Sequence, residues 1–266
     1  MAISLFPQNG FRLSRNTLRK AMGVSPLYEF LQMKASDDVM LLDNIPGINN
    51  FPIAMGAYWT PANSSGTSAA NFASVVGAGP GYIQGDTGTD DNGSISLIGP
   101  IIYEGDRNVG CMFDFQIDAV TDYNLELGLI DAVPGSNAPG VTDIDTPTVA
   151  AGDAAILTID TDQTIATLAF ATDGSTANMD DKATTIASPL TNFTAATRHR
   201  VIIQTFGNFA AVNIDGVWSA IHDAKKDADG CIEGGVLLAP WIYCRTRTTA
   251  ARFPRLYHFS IWQDWR

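Results

Sequence analysis

Asp114, Gln116 and Asp118 occupy alternate positions of a single run. Alternation puts them on one face of a strand, and two carboxylates on one face are what glycoside hydrolysis uses as acid and nucleophile. The middle position here is an amide. Gln116 can neither protonate a leaving oxygen nor attack a sugar, so the run reads as the polar, half-exposed face of a strand. A second group of oxygen ligands, Asp86, Asp90, Asp91 and Asn92, falls within one Gly-rich turn. Calcium takes such ligands at short spacing, and this turn is the candidate site for it. The spacing is not that of an EF-hand loop, and Asp and Asn also populate turns for backbone reasons alone. No other cofactor is called for.

His199, His222 and His258 are scattered, with no Ser or Cys in a nucleophile motif beside them. No catalytic triad is expected from that arrangement, and there is no phosphate-binding glycine loop. The three cysteines, Cys111, Cys231 and Cys244, are too few and too dispersed for a disulfide framework or a zinc site. Cys111 and Cys244 sit in strand-like runs and are expected as small buried hydrophobes. Trp218, Trp241, Tyr243, Trp262 and Trp265 crowd the C-terminal third. Aromatics alternating along strands belong in a core, whereas the same rings facing solvent would form a sugar-stacking platform. Trp265, next to the last residue, is expected at a surface or interface.

The elements that carry these residues are strands. From Val109 the alternation is clean: Val109, Cys111, Phe113, Phe115 and Ile117 point one way, Asp114, Gln116 and Asp118 the other. After the turn residues Thr121 and Asp122, the residues Tyr123, Leu125, Leu127 and Leu129 repeat the pattern. Further period-two runs cover 94–98, 155–160, 165–172, 200–206, 209–215, 236–244 and 256–262. The Asp215-Gly216 pair is a hairpin signal. Strands separated by turn signals, with no helical crossover, predict an all-β protein: an antiparallel two-sheet β-sandwich of the jelly-roll kind. Between Asp37 and Tyr82 short apolar pieces alternate with turn clusters, which predicts edge strands and long loops.

Residues 1–36 have a different character and are expected to form an N-terminal arm, leaving 37–266 as the sandwich domain. Ser25 can cap a helix with Pro26 in its first turn, followed by Leu27, Phe30, Leu31 and Lys34 at helical spacing. A helix of about ten residues is marginal alone and must dock on something. Charge divides the chain the same way. The net charge of −12 resolves into +4 for residues 1–36, −19 for 37–197 and +3 for 198–266. An acidic body argues against nucleic acid as a partner, because phosphate contacts require clustered Lys and Arg. Arg12, Arg15, Arg19 and Lys20 instead suit the arm to an acidic protein surface. With Leu27, Phe30 and Leu31 they are the candidate partner-binding residues. No apolar run approaches the ~20 residues needed to span a bilayer. The N-terminal residues lack the apolar stretch of a secretory signal, so a chain made in a cytosol is expected.

Four strings, in order, resemble the concanavalin A-like lectin/glucanase fold in its LamG-like form. They are GDTGTDDNG, a turn entering a strand; CMFDFQIDAV with LELGLIDA, read as paired central strands; RHRVIIQTFGNFAAVNIDGVW, a hairpin; and GGVLLAPWIYCRTRTTAARFPRLYHFSIWQDW, two closing strands with their loop. The resemblance covers roughly residues 81–266. It implies a binding fold rather than an enzyme, because the resembling glucanases carry Glu-x-Asp-x-x-Glu where this chain has Asp114, Gln116 and Asp118. Domains of this look, with a short N-terminal arm, are similar to proteins on tailed-bacteriophage particles. That implies a virion structural protein made in the host cytoplasm. It would be a capsid decoration or auxiliary head protein, attached to capsid or other virion proteins through its arm and assembled as a homo-oligomer. The alternative is a carbohydrate-binding, lectin-like module with a glycan as its partner.

Overall fold

The computed structural model describes residues 59–63, 71–75, 82–105, 107–134, 138–143, 148–149, 152–162, 168–174, 182–185, 193–206, 209–223, 232 and 235–263. All regular structure among them is strand, in two antiparallel sheets packed face to face, and no helix occurs among the described residues. The expected arm and its helix lie outside them.

The front sheet runs β1 (Thr60–Asn63), β4 (Ser94–Ile98), β16 (Leu237–Thr246), β7 (Tyr123–Ile130), β10 (Asp153–Asp160), β11 (Leu168–Gly174) and β12 (Lys182–Thr185). A short β5 (Tyr103–Glu104) also pairs with β16. The back sheet runs β15 (Val217–Asp223), β14 (Phe209–Ile214), β13 (Arg198–Phe206), β6 (Gly110–Gln116), β17 (Arg255–Trp262), β3 (Tyr82–Asp86) and β2 (Asn71–Val75). A separate hairpin joins β8 (Val141–Asp143) to β9 (Thr148–Val149). Strands β1 and β2 fall at sheet edges, as the broken pattern before Tyr82 predicts.

Alternation decides what the sandwich buries. Cys111, Phe113 and Phe115 of β6 face Leu125, Leu127 and Leu129 of β7 across the gap, all within one apolar cluster. Each such side chain contributes about 1.5–3 kcal/mol on leaving water. Cys111 and Cys244 are buried free thiols, and burial pushes the pKa of each well above that of an ordinary thiol. Cys231 lies outside the described residues.

One expectation needs correction. The strings CMFDFQIDAV and LELGLIDA do not form a pair: β6 lies in the back sheet and β7 in the front. The residues between them turn a corner at Asp122, whose φ is +59°, and carry the chain across the core. Two consecutive strands with the same alternation can face one core from opposite sides as readily as they can share a sheet. The closing strands β16 and β17 are divided between the sheets in the same way. The hairpin at Asp215-Gly216 forms as expected, with both residues at positive φ, +52° and +91°.

Candidate functional site

The outward face of the front sheet carries three successive cross-strand rows. Ser96, Tyr243, Glu126 and Thr158 are register partners, flanked on one side by Ser94, Arg245, Asn124 and Asp160, and on the other by Ile98, Trp241, Gly128 and Ile156. The last row can form because Gly128 has no side chain. A Cβ there would lie 2.3 Å from the Ala155 carbonyl oxygen and 2.8 Å from Ile156 Cα, so glycine allows β10 to approach β7. Trp241 and Tyr243, two residues apart, stack at 6.0 Å with 10° between their planes.

Glu126 sits at the centre of this face with 0% exposure. Its Oε2 accepts from the Gly140 backbone N–H at 2.7 Å and from Trp241 Nε1 at 2.8 Å; its Oε1 accepts from the Val141 N–H at 2.8 Å. Burial pushes its pKa up to about 7, opposed by these three hydrogen bonds and by the charge of Arg245. Beside it the polar groups are incompletely matched. Thr158 Oγ1, Asn124 Oδ1 and Arg245 Nε are buried without a hydrogen-bond partner among the described residues. Asp160 is satisfied by Asn124 Nδ2 at 2.8 Å and by a two-point pair with Arg247. Leaving a buried polar atom unmatched costs about 1–3 kcal/mol, and three such atoms fall on this face.

Asn124, Glu126 and Gly128 therefore form the alternating row that carries a deeply buried acid, and only one of the three is a carboxylate. Sequence reasoning weighed the row Asp114, Gln116 and Asp118, set it aside as a polar strand face, and did not single out Glu126. The available signal was a Glu interrupting the apolar run LELGLI.

The earlier row is structural and more buried than expected. Asp114 and Gln116 are 7% and 8% exposed, because Arg198 and Tyr257 lie over them. Arg198 grips Asp114 with two nitrogens, which raises the guanidinium pKa further. The Tyr257 hydroxyl donates to Gln116 Oε1 at 2.6 Å, and Asp118 accepts the Phe253 N–H at 2.7 Å. Next to Asp114, an open groove of about 580 Å³ is lined by Arg198, His199, Arg200, Asn213 and Asp215. His199 contacts Asp215 Oδ2 through Nδ1 at 2.7 Å, and its Nε2 accepts the Thr194 N–H at 3.0 Å. Both ring nitrogens are engaged within the protein, Nδ1 by Asp215 and Nε2 by the Thr194 backbone.

The candidate calcium turn is held by its own backbone. Gly88 N–H donates to Asp86 Oδ1 at 2.8 Å, Gly93 N–H donates to the Asp90 carbonyl at 2.8 Å, and Asn92 has a φ of +63°. Asp90, Asp91 and Asn92 are exposed, and among the described residues no group of three or more His, Cys, Asp or Glu could hold a metal ion. Of the aromatics, Trp241, Tyr243 and Trp262 are buried and Trp218 is half-buried. Trp265 and the arm residues Arg12, Arg15, Arg19, Lys20, Leu27, Phe30 and Leu31 lie outside the described residues.

No protein-family model matches the chain, and no curated protein sequence matches it. Solved structures do. The metal-free carbohydrate recognition domain of Emp46p aligns with a TM-score of 0.54 at 9% identity, covering 84% of this chain and 95% of that one. A protein of unknown function with a galectin-like fold from Bacillus subtilis gives 0.51 at 9%, covering 85% and 97%. A Bacteroides ovatus GH16 protein in complex with its G4G4G3G product gives 0.52 at 8%, covering 77% and 94%. The two packed antiparallel sheets thus form the galectin/concanavalin A-like jelly roll, a fold common to lectin domains and glucanases.

Proposed function

We propose that this chain is a carbohydrate-binding, lectin-like module without hydrolytic activity, and that the outward face of the front sheet is its glycan site. The observation that carries this reading is the set of unmatched polar atoms, Thr158 Oγ1, Asn124 Oδ1 and Arg245 Nε, beside the stacked Trp241 and Tyr243. Sugars offer hydroxyls that donate and accept, and these polar atoms are counterparts for them. The carbohydrate recognition domains that share the fold support the same reading. A single buried carboxylate in the row gives no acid–nucleophile pair. Affinity electrophoresis through gels containing neutral glycans tests the proposal. Retardation by at least one glycan, weakened about tenfold by Thr158→Val or Asn124→Ala, is expected. A chain that no glycan retards ends it.

A second reading, a virion structural component anchored through residues 1–36, is favoured by two observations. The arm's +4 is opposed by −19 over 37–197, and Trp241 and Tyr243 are buried at 0% and 1% exposure rather than displayed. On this reading the partners are capsid or other virion proteins, the site is Arg12, Arg15, Arg19 and Lys20 with the apolar Leu27, Phe30 and Leu31, and the assembly is a homo-oligomer on the particle. Deleting residues 1–36 should leave a cooperatively melting β-protein that no longer joins particles. Full incorporation without the arm rules it out.

A further inference from the structure

We propose that the outward face of the back sheet, around Arg200, binds a carboxylate-bearing polysaccharide of the polyuronate type, at a site separate from the front-sheet face. One cross-strand row there is Gln84, Arg255, Gln116 and Arg198, and the next places Asp114 between His258 and Arg200. The acceptors on this face are already engaged by the protein. Both Asp114 oxygens bind Arg198, Asp215 accepts from the Arg200 N–H and pairs with His199, and Gln84 Oε1 takes the Arg255 Nε–H at 2.9 Å. Gln116 Oε1 and Asn213 Oδ1 accept from Tyr257 and Gly216.

Two half-exposed guanidinium groups stand side by side here. Arg198, 46% exposed, pairs with Asp114, and Arg200, 51% exposed, stands 3.9 Å from that already engaged carboxylate. Paired guanidinium groups with capacity to spare select a ligand rich in anionic oxygen. An arginine fork matches a carboxylate in two-point geometry. The patch is also an exception in charge: Arg198, Arg200 and Arg255 outnumber Asp114 and Asp215 on a chain whose net charge is −12.

An acidic peptide would also bring carboxylates, but its acids hang on flexible stems and make no use of ring faces. Here Tyr82 and Tyr257, both half-buried, lie 5.2 Å apart between Arg255 and Arg198, whose guanidinium carbons sit 5.2 Å and 4.4 Å from the ring centroids. Each guanidinium lies over its ring, which holds the cations at fixed positions and suits a carboxylate borne rigidly on a sugar ring.

The test is affinity electrophoresis and calorimetry of the full chain with polygalacturonate, with its fully methyl-esterified form as the neutral control. Binding to the acid form alone is expected, weakening with salt. It should fall about tenfold in Arg200→Ala, with little change in melting temperature, because among the described residues that side chain makes no hydrogen bond and its half-exposed ion pair with Asp114 is long. Thr158→Val, on the opposite sheet, should leave this binding intact. No binding to polygalacturonate overturns the proposal, as does equal binding by an Arg200→Ala/Arg255→Ala double variant. Competition by poly-glutamate as effective as that by oligogalacturonate, at equal carboxylate concentration, overturns it in favour of an acidic peptide.

Discussion

Trp241 Nε1 donates to Glu126 Oε2 at 2.8 Å, and this one contact joins the central strands β16 and β7 on the face that lies away from the apolar core. The same carboxylate holds the Gly140 and Val141 backbone over that face. A buried acid therefore acts as the clasp of a loop, and its consequences are measurable.

Truncation should be severe. Glu126→Ala strands three buried N–H groups at once and should cost about 3–5 kcal/mol in urea denaturation. Glu126→Gln keeps one acceptor oxygen and should cost less. Equal stability of the alanine variant and the parent would show that the Gly140 segment is held by something else.

Stability should fall as pH rises through the weakly acidic range. In the unfolded chain Glu126 titrates near 4.5, whereas in the folded chain burial pushes its pKa up to about 7. Between those values the folded state binds more protons than the unfolded one. The stabilisation is thus complete below about 4.5, declines towards 7 and is level above. The change is on the order of 3 kcal/mol, and Glu126→Gln should remove it from the parent's pH profile. A pH dependence unaltered by that substitution contradicts the assignment.

Gly128→Ala should push β10 from β7, since the added methyl meets backbone atoms, which cannot rotate aside. A loss of about 1–3 kcal/mol is expected, as for other overpacked positions. Amide exchange should quicken first in β10, next to the unmatched Thr158.

No reducing sugar should be released from β-glucan or laminarin panels. Asp114 is held by Arg198, Asp118 by a backbone N–H, and Glu126 has no second carboxylate in its row. Turnover abolished by Glu126→Gln or Asp114→Asn would establish an enzyme.

Much of the fold was legible in the sequence, because alternation is a local property. Val109 to Ile117 and Tyr123 to Leu129 each expose their apolar set to one side whatever they pair with, and Asp215-Gly216 turns a hairpin through its own backbone preferences. The tertiary structure alone decided which sheet each strand joins, and hence that β6 and β7 oppose rather than adjoin one another. It also decided the candidate site. Glu126 reads locally as a polar break in LELGLI; its hydrogen bonds come from Trp241, 115 residues away, and from Gly140 and Val141, 14 and 15 residues away, and they oppose the pKa rise that its burial causes. Asp114, a candidate acid by spacing, is neutralised by Arg198 from 84 residues on. Spacing along a strand determines which face a side chain occupies, whereas its hydration, its hydrogen bonds and its charge depend on residues that only folding brings within reach.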